Sequence, residues 1–229
     1  MTGSTWAVVV ASGKDEMLNA ETCTAFLNLH NQPVLSYSLI ALEHCPEVDA
    51  VVVVAPKDRL EQVVSVIQLF GIHKVRKVVP GGANELASFA QARKYFDSDA
   101  TMIVVHEASR PRIQATDLSE IIKTAKRQGS AMMGKAVPEA TASVEKNGAV
   151  ETFHPGGLVW MYAFPLAVKA ETLEKAEAHL RKKKKTVKTI LEELQVAGSP
   201  PKIVAVKAFS SRIGTIDDLR RMEQGGGVW

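Results

Sequence analysis

The feature that most limits what this chain can fold into is an alternation. Short Val-rich runs stand at residues 6–11, 48–55, 75–79, 101–106 and 203–208, and stretches with helical spacing separate most of them. A run that is apolar on successive residues must be covered on both faces, which suits a strand inside a parallel sheet. The helical stretches are 34–44, 58–70, 86–96, 118–128, 166 to about 183, and 217–224. Each has a recognisable signal. Leu60, Val63, Val64, Ile67 and Phe70 make one stripe that stops at Gly71, Asn84 precedes residue 86 as an N-cap, and Asp217 and Asp218 sit in a first turn after Thr215. Strand–helix alternation predicts an α/β fold, a mostly parallel sheet flanked by helices.

One stretch breaks the rhythm. Residues 136–160 hold short strand-like pieces, 142–144 and 150–153, around Lys146-Asn147-Gly148. Asn-Gly between such pieces is a strong hairpin signal, so a projecting β-arm is expected there. Residues 1–224 read as one domain that includes this arm, and Gly225-Gly226-Gly227 opens a flexible tail at 225–229.

Composition narrows the function classes. Hydrophobic residues make up 46% of the 229 and charged residues 23%, enough apolar material to fill a core. No apolar run approaches membrane-spanning length, and the N-terminus lacks the basic start of a secretory signal. Cys23 and Cys45 make neither a disulfide framework nor a metal pair, so a reducing, cytoplasmic setting is expected. The net charge of +3 is concentrated in Arg181-Lys182-Lys183-Lys184-Lys185 and Lys188; without them the body is mildly acidic. A nucleic-acid partner is therefore not expected, nor is a membrane. The lysine run reads as a solvated helix end, with phosphate binding as the alternative.

Ligands of parallel sheets bind at the C-terminal ends of strands. Three such ends carry candidate chemistry. Ala11-Ser12-Gly13-Lys14 follows the first strand, where small residues would let backbone N–H groups approach a phosphate beside the Lys14 cation. Gly81-Gly82 precedes a helix containing Ser88, and reads equally well as a tight turn. His106-Glu107-Ala108-Ser109-Arg110-Pro111 gathers three ionisable side chains at the end of the most hydrophobic strand. No His/Cys metal cluster and no P-loop, GxGxxG or GxSxG motif occurs.

The ordered segments AVVVASG, TAFLNLHNQPVLSYSLIAL, VVPGGANELASFAQA, MIVVHEASRP, GGLVW and SSRIGTIDDL resemble the 2-C-methyl-D-erythritol 4-phosphate cytidylyltransferase family. The wider group includes ribitol-5-phosphate cytidylyltransferases. The resemblance covers nearly the whole chain, and VVHEASRP is its most specific piece. It implies a Rossmann-like nucleotidyltransferase fold and a homodimer formed through the arm. It also implies CTP-dependent transfer to a sugar-alcohol phosphate in isoprenoid precursor synthesis, with Mg²⁺ or another divalent cation. It places nucleotide binding at Ala11, Ser12, Gly13, Gly81, Gly82 and Ser88. Substrate binding falls on Glu107, Arg110 and Thr141, a metal on Glu107, and catalytic charge on Lys14, Arg110 and Arg212.

The same comparison exposes departures. The family's first loop carries a second Gly and an Arg where this chain has Asp15-Glu16. Its triphosphate Lys falls on Cys23-Thr24-Ala25, the Arg of its base pocket on Glu85, and its arm Arg on Pro155. Its second metal Asp falls on Phe209-Ser210-Ser211-Arg212. Attack of a phosphate on the α-phosphorus of CTP builds negative charge, so lost cations weaken catalysis directly. The expectation is a family scaffold with little or no standard activity. A working enzyme with a rebuilt charge set and another substrate is the alternative, and an anion- or membrane-surface-binding protein a minor one.

Overall fold

A computed structural model describes residues 3–12, 23–206 and 209–225. In chain order the elements are β1 (Ser4–Val10), β2 (Asn28–Leu29), β3 (Gln32–Pro33), α1 (Val34–His44), β4 (Ala50–Ala55), α2 (Leu60–Leu69), β5 (Val75–Pro80), α3 (Glu85–Arg93), β6 (Ala100–Glu107), α4 (Ala115–Gln128), β7 (Ser130–Ala136), β8 (Thr141–Val144), β9 (Val150–His154), β10 (Trp160–Lys169), α5 (Ala170–Lys183), α6 (Ile190–Val196), β11 (Lys202–Ala205) and α7 (Ile216–Glu223). Seven strands form one sheet in the order β11-β7-β10-β6-β1-β4-β5. β10 alone among them runs antiparallel to its neighbours. The expected mixed, mostly parallel α/β sheet is thus the observed one.

The central strands are apolar throughout because helices cover both faces. Ala7, Val9, Val51, Val53 and Val104 face one side, packing with Leu39 of α1, Val63 of α2 and Ile122 of α4. The alternate residues Trp6, Val8, Val52, Val54 and Val105 face the other, against Phe89 of α3, Leu173 of α5 and Leu194 of α6. This period of two within unbroken apolar runs is what a doubly covered sheet requires.

Several segments differ from the sequence reading, among them α6, where no helix is expected. Residues 166–183 do not form one helix: β10 runs to Lys169 and α5 starts at Ala170. Leu166, Ala167 and Val168 are fully buried between β6 and β7, and cross-strand pairing satisfies their backbone. β7 is a strand without a β-branched signal, and its Gly134 lies so close to Ile203 that a Cβ would sit 2.5 Å from its methyl group. The arm is as expected. β8 and β9 pair as a separate two-stranded sheet, but its loop is longer than a two-residue turn. Gly148 N–H donates to Glu145 C=O, Glu145 N–H donates to Ala149 C=O, and Gly148 takes φ +89°. Among the described residues no helix is long and apolar enough to cross a membrane.

Candidate active site

The turns after β1, β5 and β6 leave the sheet at one level because each is tied to a neighbouring strand. Ala11 N–H donates to Val54 C=O (2.7 Å), Gly81 N–H to Ala55 C=O (2.9 Å), and Ala108 N–H to Val10 C=O (3.0 Å). Beside these turns lies a cleft of about 480 Å³, lined by Ser12, Gly82, Asn84, Glu85, Ser88, Glu107 and Phe164 among others. That is a usual size for a small-molecule site.

The glycine pair is a packing device as well as a cleft wall. A Cβ on Gly81 would meet Ser12 Cβ at 2.8 Å, and one on Gly82 would meet Ala87 Cβ at 2.5 Å. Ser88, nearly inaccessible, accepts Gly82 N–H through its hydroxyl at 3.0 Å. Asn84 caps α3 by accepting Ala87 N–H at 2.9 Å. Gly81 and Ser88 thereby shape the loop, while Ser12 and Gly82 face the cleft.

Glu85, the first residue of α3, does not simply replace a cation. Its Oε1 accepts Ile190 N–H at 2.9 Å, joining the start of α3 to the start of α6. Burial raises its carboxyl above the ordinary range, and the charges of Glu107 and Glu192 add to the effect, while the Ile190 N–H pulls the other way.

Glu107 and Arg110 form a tight pair, Arg110 Nε donating to Glu107 Oε2 at 2.6 Å. Arg110 also donates through Nη1 to Ser210 C=O (3.1 Å), and Ser210 Oγ donates back to Arg110 C=O (3.0 Å). Ile213 N–H donates to Ser109 C=O at 2.9 Å. Arg110 thus clamps the 209–213 segment to the end of β6 and lines neither cavity at these strand ends. His106 is fully buried, hydrogen-bonded through Nε2 to Ser38 Oγ at 3.0 Å. Burial first, then the Arg110 charge, lowers its pKa to about 3, so it stays neutral and acts in packing.

A second recess of about 50 Å³ opens beside Glu107, lined by Ala11, Thr24, Ser109 and Arg212 among others. The structure therefore brings Ala11, Ser12, Gly82, Ser88, Glu107 and Arg212 to one end of the sheet, with Gly81 behind Ser12. Thr141 lies on β8 of the arm and lines neither recess. Gly13 and Lys14 lie outside the described residues. Phe164, which β10 brings to the cleft, escaped the sequence reading because that strand did.

The described residues do not fit a divalent cation. No three metal-ligating side chains converge among them, Arg110 holds one Glu107 oxygen, and Glu85 is committed to Ile190 N–H.

The family model described as IspD, 2-C-methyl-D-erythritol 4-phosphate cytidylyltransferase, matches residues 5–224. The enzyme of that description from Pelotomaculum thermopropionicum is 28% identical over 214 residues, 93% of this chain and 90% of that protein. The one from Desulforamulus reducens is 27% identical over 220 residues, 95% of this chain and 93% of that protein. The crystal structure of 4-diphosphocytidyl-2C-methyl-D-erythritol synthase from Anaerococcus prevotii superposes with a TM-score of 0.83 at 14% identity, covering 97% of this chain and 96% of that one.

Proposed function

The chain belongs to the 2-C-methyl-D-erythritol 4-phosphate cytidylyltransferase family, and from that premise we propose that it keeps the family's scaffold while performing the standard cytidylyl transfer weakly or not at all. One observation carries this reading: the described lining of the 480 Å³ cleft contains two carboxylates, Glu85 and Glu107, and no Lys or Arg. A triphosphate brought there meets like charge, and its transition state gains more negative character still. Losing a single preorganised donor costs roughly 10²–10³ in rate, and here several cationic positions differ at once. The test is pyrophosphate release from CTP, Mg²⁺ and 2-C-methyl-D-erythritol 4-phosphate, run beside an active relative. Turnover lower by about 10³-fold or more is expected; turnover within about ten-fold of the relative overturns the reading.

Arg212 favours a second reading, a working transferase with a different phosphorylated substrate. It lines the small recess beside Glu107 and Ser109, where it supplies a cation the larger cleft lacks. Release of pyrophosphate from CTP with another sugar-alcohol phosphate, abolished by Arg212→Ala, would establish it.

We propose further that the chain is a homodimer through its arm. A lone hairpin is marginal in water, and this one leaves Phe153 77% exposed, with Val144 and Val150 of the same hairpin also uncovered. Sedimentation at micromolar concentration should give a dimer, and Phe153→Asp a folded monomer. A monomeric parent chain would overturn this.

A further inference from the structure

A further cavity lies away from the strand ends, behind α3. It measures about 610 Å³ between α3, α5, α6 and the turn that follows α5. Its floor is apolar, formed by Leu86 and Phe89 of α3, Leu180 of α5 and Val187. Its rim is cationic. Arg93 is engaged by Glu174 and Glu177, and Arg181 by Glu177. Lys184 and Lys185 have no ion pair among the described residues. Lys184 takes φ +51° as the cap of α5, and Lys185 N–H donates back to Leu180 C=O at 3.2 Å. The chain therefore turns at the helix end and brings both lysines to the cavity wall.

Two carboxylates belong to the lining, Glu177, which pairs with Arg93 and Arg181, and Glu193. Glu193 of α6 is 8% exposed, and no hydrogen bond reaches its side chain among the described residues. The pattern Ile190, Glu193, Leu194 places it on the buried face of its helix, where an apolar residue is ordinary. Arg93 and Arg181 act on it only through their charge, and a largely buried carboxyl without a direct hydrogen bond costs stability unless something outside the chain answers it.

We propose that this cavity binds a small amphiphilic anion, an alkyl or aryl body carrying one phosphate or carboxylate head. The body would cover Leu86, Phe89, Leu180 and Val187. The head would lie at Lys184 and Lys185 and accept a hydrogen bond from protonated Glu193. Each simpler ligand leaves part of the lining unused. An inorganic anion leaves the floor bare, a neutral hydrocarbon leaves the cations and Glu193 unanswered, and an organic cation is repelled by Arg181, Lys184 and Lys185.

Proton linkage follows from the same groups. Glu193 feels Arg93 from α3 and Glu177 and Arg181 from α5, and Lys184 and Lys185 line the same cavity from the turn. Burial, reinforced by Glu177, pushes its pKa up to about 7 against the pull of Arg93 and Arg181. A bound anion favours the protonated carboxyl, so affinity falls as pH rises through about 7.

The test uses the full chain and three probes: octyl phosphate below its micellar concentration, inorganic phosphate, and octanol. Titration calorimetry should give one saturable site for octyl phosphate, with each partial probe weaker by about ten-fold or more. Amide shifts should map to α3, α5 and α6. Ala90→Trp, at an exposed position on the cavity wall, should block binding. Lys184→Glu with Lys185→Glu should weaken it by about ten-fold or more. Glu193→Gln should still bind, with its pH dependence flattened. Vesicles containing phosphatidylserine should not compete. Equal affinity for inorganic phosphate, shifts confined to the arm, preference for vesicles, or indifference to both the Ala90 and the lysine variants would each overturn the proposal.

Discussion

Helix α3 has two faces, and they border cavities of opposite character. Glu85 and Ser88 look toward the strand ends, while Leu86, Phe89, Ala90 and Arg93 look toward α5 and α6. Both linings hold two carboxylates, but the first has no described cation, whereas the second sets Arg93, Arg181, Lys184 and Lys185 against Glu177 and Glu193 over an apolar floor. The strand ends of an α/β sheet supply a place for a ligand, but not the charges that select it. In this chain the surface better suited to an anion lies behind the helix.

The largest effect is expected from Arg110→Ala. If Arg110 is a clamp, removing it leaves Glu107 unpaired and frees Ser210 C=O, costing about 2–4 kcal/mol in chemical denaturation. Arg110→Lys should recover only part, because a point charge cannot reproduce a two-nitrogen contact. A silent Arg110→Ala would mean the guanidinium is free to serve a ligand, and the cleft would then contain a usable cation.

The rear cavity makes a smaller, pH-dependent prediction. An unfolded Glu titrates near 4.5 and Glu193 in the fold near 7, so the folded state holds the proton more tightly. Stability is fullest below about 4.5 and is lost as pH rises toward about 7. Glu193→Gln should match the parent near the lower limit and exceed it above pH 7. The gain should be about 1–2 kcal/mol, less than the full shift implies because the cavity admits water. Equal stability at both ends would show that Glu193 is already answered within the chain.

The two cavities were unequally legible in the sequence. Val-rich runs revealed the strands that end at the cleft, so Ser12, Gly82, Ser88 and Glu107 could be placed by position alone. β7 and β10 were not legible as strands, because Met, Ala, Leu and Gly carry little strand preference and residues 166–183 also suit a helix. Missing β10 hid Phe164. Arg110 could be placed at the cleft but not turned away from it, since its partner Ser210 lies a hundred residues later. The rear cavity did leave a signal: a Glu on the apolar stripe of α6, beside a lysine run that composition alone reads as solvated.

The smallest effect concerns the residue that touches both regions. Glu85 lines the cleft and holds the first N–H of α6, so charge and structure can be separated there by one atom's change. Glu85→Gln keeps an oxygen for Ile190 N–H and removes the charge opposing Glu107 and Glu192. Because burial raises the Glu85 carboxyl, its ionised form is disfavoured in the fold, and stability is lost as pH rises above the ordinary carboxylate range. The Gln variant should therefore gain roughly 0.5 kcal/mol at neutral pH and nothing in acid. CTP affinity by calorimetry should rise about two- to five-fold, as expected for one partly solvated like charge removed. Glu85→Arg should behave differently, although it restores the residue type implied by the family resemblance. It removes the acceptor at the start of α6 and places a cation at the positive end of that helix, so any gain in CTP binding should come with a loss of stability. If Glu85→Arg is as stable as the parent, the contact to Ile190 is dispensable and the cleft differs from the family's in charge alone.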